Sequence, residues 1–324
     1  RIHPTIPKKI LSKVVDILSE YPLCDYCLGR QFHFSKPLMP DWEKGRYLKT
    51  LVLQLFNEKT IESISTNISV IGDPPLTPFT QSKKCFICGS IMYKIDSFLL
   101  KVLDQLKDLE FSSFKVSSEI PGEIVEREDD LRARYALLEA LTIKVALNRI
   151  LDKKLSLATG KRVDVKDPDL KLTINLFEDK ILIQIKPLFI YGRYKKLKRG
   201  IPQAKWICVR CNGRGCPHCW WIGKMYPESV EELISSVLLK ETEAKNSLFH
   251  GAGREDVDAL MLGNGRPFII ELIAPRKRSI SLVEAEKKIN NLFPEAVQIS
   301  SLSFTNRRQV EVLKSMAEKT RKTY

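Results

Sequence analysis

The chain has 324 residues, with 53 lysines and arginines against 39 aspartates and glutamates, which gives a formal net charge of +14. Hydrophobic residues make up 44% of it, a share typical of globular proteins that excludes wholesale disorder. This length predicts two domains, or three. The positive excess favours nucleic acid as the partner, and a basic surface without such a ligand is the alternative.

No apolar run reaches the roughly 20 residues that span a bilayer, so we expect no membrane partner. The first 21 residues lack the apolar centre and the cleavage site of a signal peptide, and their apolar positions follow helical spacing instead. We therefore predict a cytoplasmic protein.

In chain order, the pattern of the first half of the sequence predicts several helices, a strand, a long helix and a pair of strands. A helix followed by paired strands indicates an α+β module. The predicted elements are helices over 4–20, 41–58 and 95–106, a strand over 111–120, a long helix over 126–154, and two strands that turn at Glu178 and Asp179.

A basic segment over 191–203 follows, in which five cations and two tyrosines fall within nine residues. Lysine and arginine bind phosphates and tyrosine stacks on unpaired bases, so we predict RNA contact, with a solvated charged loop as the alternative. The residues assigned to this contact are Arg193, Tyr194, Lys195, Lys196, Lys198 and Arg199.

The remaining elements are predicted to be helices over 229–240, 282–292 and 310–319, with strands over 268–273 and 297–304. We expect the domain boundary near residue 200, which separates a first domain over 1–200 from a second over 201–324.

The cysteines follow one rule. All eight belong to Cys-x-x-Cys pairs, and two such pairs complete the closed tetrahedral site typical of structural zinc. In a reducing cytosol, this favours about two zinc ions per chain over disulfides or redox dithiols. The last two pairs predict one zinc knuckle. The first two pairs are far apart in sequence, and we expect them to share a second site that ties the N-terminal segment to a hairpin, with binding of separate ions or of a partner as the alternative. The predicted ligands are Cys24, Cys27, Cys85, Cys88, Cys208, Cys211, Cys216 and Cys219.

Three carboxylates lie close together after Gly253, at Glu255, Asp256 and Asp258, and Arg254 stands beside them. An arginine keeps a neighbouring carboxylate ionised, and an ionised aspartate in a cleft can act as a nucleophile or a base. A surface turn with a local ion pair explains the same residues, and composition alone favours that interpretation.

The run from Gly253 to Leu262 resembles the active-site motif of the archaeal and eukaryotic family of pseudouridine synthases that modify tRNA uridines 54 and 55, the tenth of the named groups, and the overlapping segment from Phe249 to Asp258 also resembles that family. The Gly253-Arg-Glu-Asp256 core is similar to the Gly-Arg-Thr-Asp motif of more distant synthases. The paired cysteines also resemble the family, as do four further segments in the same order. These segments are Gly192-Arg-Tyr-Lys-Lys-Leu, Arg199-Gly-Ile-Pro-Gln, Ser229-Val-Glu-Glu-Leu and Gly265-Arg-Pro-Phe.

The resemblance implies an isomerase without an organic cofactor that flips a uridine out of the tRNA T-arm, uridine 55 with uridine 54 as a second target. By similarity, Asp256 is the nucleophile, Arg254 is its ion-pair partner, and Tyr324 packs on the uracil and helps proton removal. Asp258 is the weaker candidate for the nucleophile, and a helix-surface tyrosine is the alternative for Tyr324.

The implied fold class is α+β, with an N-terminal zinc-bearing THUMP-type RNA-binding module and part of an antiparallel-sheet catalytic domain. We expect a monomer. Members of the family continue past the tyrosine, so we also expect this chain to be C-terminally incomplete and to lack part of its pocket. The alternative function is a non-catalytic, zinc-bearing tRNA-binding protein. A methyltransferase or thiolation enzyme would need a glycine-rich cofactor or nucleotide loop, which the sequence lacks.

Overall fold

The computed structural model of the protein describes residues 6–33, 39–56, 58–74 and 83–319. Two compact units result: the first takes the described residues of Arg1–Lys107 and Ser113–Ile183, the second those of Asp108–Ser112 and Gln184–Tyr324. The division at Ile183 precedes the boundary predicted near residue 200, because residues 188–196 form a strand inside the sheet of the second unit. No described helix is long and apolar enough to cross a membrane.

The first unit begins with helices and continues into a four-stranded sheet. Its helices are α1 (Lys8–Glu20), α2 (Asp25–Gly29), α3 (Asp41–Leu55), α4 (Glu58–Ile68), α5 (Ile95–Leu106), α6 (Gly122–Tyr135) and α7 (Ile143–Thr159). Its strands are β1 (Ser113–Ser118), β2 (Arg162–Val163), β3 (Leu170–Asn175) and β4 (Lys180–Ile185). The strand order is β2-β1-β3-β4, and β1 runs parallel to both β2 and β3.

The single long helix predicted over 126–154 is wrong, because the chain breaks between α6 and α7. Ala136 takes a left-handed conformation with φ of 48°, which ends α6. The Thr142 side chain then accepts from the backbone N–H of Val145 and caps the start of α7. Residues of good helix propensity lie between the two, so the local cap decides the structure there.

The second unit contains an antiparallel sheet covered on both faces. Its strands are β5 (Leu188–Lys196), β6 (Asn246–Gly251), β7 (Met261–Ile273) and β8 (Val297–Thr305), and its helices are α8 (Val230–Thr242), α9 (Leu282–Leu292) and α10 (Arg307–Lys319). The order is β6-β7-β5-β8. Residues of α8 and α9, including Ile234 and Ile289, pack with Ile190 of β5, while Val310 of α10 packs with Phe189 on the other face.

Candidate active site and tetracysteine clusters

The acidic motif lies in the loop that joins β6 to β7, two strands that pair in the sheet. Lys196, the last residue of β5, fixes the backbone of this loop. Its ammonium group donates to the carbonyl oxygens of Asp256 at 2.9 Å, Val257 at 2.8 Å and Ile201 at 2.9 Å. An ammonium group has three donors, and here all three are used inside the protein. Burial lowers the pKa of Lys196.

Glu255 anchors the same loop through its side chain, which is buried. Its carboxylate accepts from the Tyr194 hydroxyl at 2.9 and 2.8 Å and from Gln203 Nε2 at 3.3 Å. Arg266 Nε forms an ion pair with it at 2.9 Å and so supplies the opposite charge. Burial, followed by the charge of Glu255, raises the pKa of Tyr194, so its phenol stays protonated and donates.

The backbone on the N-terminal side of Glu255 is held as well. Arg266 Nη1 donates to the Ala252 carbonyl oxygen at 2.7 Å, and Gln203 Nε2 donates to that of Gly253 at 3.0 Å. Gly251 leaves room for this amide, since a Cβ there would lie 2.9 Å from Gln203 Nε2. The loop is therefore held on both sides of Asp256.

The Asp256 side chain is exposed, in contrast to its fixed backbone. None of the hydrogen bonds or ion pairs within the described part of the chain involves its carboxylate, and the predicted Arg254–Asp256 pair is absent there. The Arg254 guanidinium lies instead over the Trp206 ring, with Cζ 4.9 Å from the ring centroid. The exposed Asp256 carboxylate thus projects from a backbone that is held in place.

The predicted RNA contact of the basic segment needs correction at two residues. Tyr194 and Lys196 are fully buried, because alternate residues of β5 point into the core, so neither reaches a phosphate or a base directly. Arg193 is partly buried and donates to two backbone carbonyl oxygens of β7 at 2.7 Å. Lys195 is partly exposed, and Lys198 and Arg199 are exposed.

Sequence reasoning missed the supporting roles of Lys196, Glu255, Gln203 and Arg266. The alternating pattern of β5 could have indicated two of the core-facing positions, since Tyr194 and Lys196 are two residues apart. Tyr324, the predicted uracil-packing residue, lies outside the described residues.

Four cysteines distant in sequence meet in the first unit. The sulfurs of Cys24, Cys27, Cys85 and Cys88 lie within 4.8 Å of one another, and all four residues are buried. Burial raises the pKa of the Cys24 thiol, so a buried thiolate needs a cation for compensation. Four sulfurs at this spacing can hold one metal ion, which favours a shared site over two separate ones.

Arg30 connects this first cluster to α7. Its guanidinium donates to Cys27 Sγ at 3.6 Å and to the Leu141 carbonyl oxygen at 2.8 Å, and it forms an ion pair with the buried Glu128. Glu128 in turn accepts from the backbone N–H of Ile143, the first residue of α7, at 3.1 Å. The cluster of four cysteines and the start of α7 are therefore linked by one buried cation.

The second cluster forms within a single knuckle. The sulfurs of Cys208, Cys211, Cys216 and Cys219 lie within 4.8 Å of one another, and Cys216 is partly exposed. An antiparallel bridge between Ile207 and Lys224 closes the knuckle at its base.

Comparison with known proteins matches both units to the same family. A model described as "Pus10 THUMP domain, archaeal" matches residues 98–175, and one described as "Pus10, C-terminal" matches residues 189–324. A protein named tRNA pseudouridine synthase Pus10 from Methanothrix thermoacetophila is 36% identical, over 98% of this chain and 72% of its own length. Proteins of the same name from Methanopyrus kandleri and Methanocaldococcus jannaschii are 36% and 35% identical, over 97% and 95% of this chain and 74% and 70% of their own lengths. The chain belongs to the Pus10 family of tRNA pseudouridine synthases.

Proposed function

We propose that this chain isomerises a uridine in the T-arm of tRNA to pseudouridine, at position 55 with position 54 as a second target, and that Asp256 is its nucleophile. The observation that supports this proposal is the contrast within the β6–β7 loop: the backbone is held by internal donors, whereas the Asp256 carboxylate is exposed. A reacting group held on a fixed backbone loses little freedom on reaching the transition state.

In this reaction the bond between the sugar carbon C1′ and the uracil nitrogen N1 breaks, and a bond from C1′ to the uracil carbon C5 forms. The proton that C5 loses is balanced by the proton that N1 gains, so no redox cofactor takes part. Asp256 attacks C1′ or assists departure of the uracil. The uridine must leave its stack to reach this carboxylate, which costs a few kcal/mol that contacts to the surrounding RNA offset.

The charge around the loop supports an RNA substrate. Lys195 lies within β5 and Lys198 and Arg199 follow it, and all three retain exposed surface. Arg199 also donates to the Asp258 carbonyl oxygen. These cations can bind phosphates beside the reacting uridine. The THUMP match over residues 98–175 in the first unit supports tRNA as the RNA.

Both tetracysteine clusters are proposed to hold structural zinc. Four thiolates fill the coordination shell and leave no open position, so the metal would organise the chain and take no part in catalysis. Metal analysis of freshly purified protein should find about two zinc ions per chain. Finding no zinc would contradict this assignment.

The experiment for the nucleophile is Asp256→Asn in the whole chain, assayed with an unmodified tRNA transcript and pseudouridine mapping. The single-turnover rate should fall by about a thousandfold or more while tRNA affinity stays close to that of the parent protein. Asp258→Asn is the matched control, because Asp258 is also exposed and lies in the same loop. If Asp258→Asn abolished turnover and Asp256→Asn did not, the assignment would move to Asp258. Binding by the parent without any pseudouridine would support a non-catalytic tRNA-binding protein.

A second variant tests the supporting role of Lys196. Lys196→Met leaves the Asp256 and Val257 carbonyl oxygens without their donor, so we expect kcat to fall by roughly ten- to a hundredfold with a small change in KM. Lys195→Met is the control, because this neighbour is partly exposed and should affect tRNA binding more than kcat. If Lys196→Met instead lost tRNA affinity with unchanged kcat, the supporting role of Lys196 would be contradicted and the direct RNA contact predicted from the sequence would be supported.

A further inference from the structure

The second tetracysteine knuckle presents two adjacent tryptophans to solvent. Trp220 and Trp221 directly follow Cys219 and are 85% and 72% exposed. Val209 and Ile222 of the same knuckle are also exposed. Single exposed apolar residues are ordinary, but two adjacent exposed indole rings with further apolar side chains beside them favour a binding surface.

The backbone at these tryptophans shows that stability does not explain them. Trp220 and Trp221 have φ values of 51° and 64°, in the left-handed region that is unfavourable for bulky side chains. Their amides donate to carbonyl oxygens of the turn, Trp220 to Pro217 and Trp221 to Cys216. Glycine would adopt this backbone without strain, and the exposed rings gain little burial in return. The residue type at these positions therefore needs a reason other than folding.

The positive charge of the knuckle favours a ligand that carries negative charge. Between residues 201 and 227 the chain carries no acidic residue, while four cations stand there: Lys205, Arg210, Arg214 and Lys224. Even with the net charge of −2 that a zinc ion bound by four thiolates would have, this segment is positive. Exposed aromatic rings beside arginine and lysine favour a ligand with flat bases and phosphates.

The knuckle is also continuous with the candidate active site. It begins at Trp206, whose ring lies under the Arg254 guanidinium, and Arg254 is two residues from Asp256. At the base of the knuckle, Trp206 contacts Tyr226 edge to face, with ring centroids 5.3 Å apart. RNA bound at Asp256 is thus next to the segment that carries the tryptophan pair.

We infer that Trp220 and Trp221 form a stacking platform for unpaired bases of the RNA that flank the reacting uridine. The inference rests on the proposed function in that the RNA is the tRNA substrate. The rings stack on bases, while Arg210 and Arg214 contact phosphates of the same strand. The knuckle would then be a single-strand binding element in addition to a metal-bound turn.

The test is the affinity of the double variant Trp220→Ala/Trp221→Ala for an unmodified tRNA transcript, measured without turnover. The Kd should rise about tenfold or more, since each stacked base contributes measurably to binding. The double variant Trp220→Phe/Trp221→Phe should restore most of this affinity, because a phenyl ring also stacks. Leu292→Ala, which removes an exposed apolar side chain at the end of α9, should leave the Kd unchanged. Zinc content and melting temperature establish that each variant is folded.

A second measurement identifies the ligand class. A single-stranded uridine oligomer should quench tryptophan fluorescence of the parent protein, and most of that quenching should be absent from the double phenylalanine variant. A duplex of equal length should quench much less. An unchanged Kd in the double alanine variant, or equal quenching by duplex, would overturn the inference. Altered self-association with unchanged RNA affinity would also overturn it and assign the surface to protein contact. An inactive parent that binds RNA through these tryptophans would refute the proposed function alone, since affinity is measured apart from turnover.

Discussion

The two tetracysteine clusters use the same Cys-x-x-Cys pairs but differ in how they are assembled and surrounded. The first joins Cys24 and Cys27 to Cys85 and Cys88, is buried, and has the Arg30 guanidinium at one of its sulfurs. The cysteines of the second lie within residues 208–219, include the partly exposed Cys216, and are followed directly by two exposed tryptophans.

This difference indicates that Cys-x-x-Cys pairs have two structural roles in this protein. A cluster that closes a long loop and is packed among core residues stabilises a whole unit, because its loss releases distant segments of chain. A cluster that closes a short loop shapes only the local surface. The first is therefore expected to support folding, and the second to present side chains for binding.

The largest effect should be on the unfolding free energy, which we expect to depend much more on the first cluster than on the second. Cys24→Ser removes one of the four sulfurs of the buried first cluster, so we expect the first unit to lose about 5 kcal/mol or more of unfolding free energy, together with one zinc per chain. Cys216→Ser should also lose one zinc but should shift the melting of the second unit much less, since its core lies elsewhere. Calorimetry with metal analysis measures both. If the two variants lowered the stability of their units equally, the proposed difference in structural role between the two clusters would be contradicted.

A smaller effect concerns the link from the first cluster to α7. Arg30→Met leaves the Glu128 carboxylate buried without its cation, so we expect a loss of about 3–5 kcal/mol, observed as a lower denaturant midpoint. Arg30→Met/Glu128→Gln should recover part of this loss, because the unpaired charge is then gone. If the single variant were as stable as the parent, the link through Arg30 from the first cluster to α7 would not stabilise the unit.

The smallest effect is kinetic. Cys216 is partly exposed while all four ligands of the first cluster are buried, so a chelator should remove zinc from the knuckle at least roughly tenfold faster than from the first cluster. A zinc-responsive dye should therefore show two release phases in the parent protein. Cys216→Ser should lack the fast phase. A single phase of full amplitude would contradict the proposed difference in exposure.

Local patterns predicted several elements well. The helices expected over 95–106 and 282–292 have those bounds in the structure, because both sequences show apolar periodicity. The Ser281 side chain also caps the start of the second helix. The helix expected over 126–154 failed for a local reason that periodicity does not register, namely the left-handed Ala136 and the cap at Thr142. β6 was missed because its six residues show no clear alternation.

The candidate active site also has features that the sequence predicted and features that it did not. The exposed position of Asp256 in a loop fits the acidic motif in the sequence. The residues that hold this loop could not be predicted from the sequence. Lys196 is a cation within a basic run, and only the pairing of β5 with β7 and β8 places it in the core against the loop that carries Asp256.

The sequence by itself determined the cysteine pairs, the family motif and the positive charge, because each depends on residues close together or on a simple sum. Tertiary structure alone decided that Cys24 and Cys27 meet Cys85 and Cys88, that Glu255 is buried and Asp256 exposed, and that Arg254 lies on Trp206. These outcomes depend on which segments pack together, and that choice is made by burial and hydrogen bonding across the whole unit.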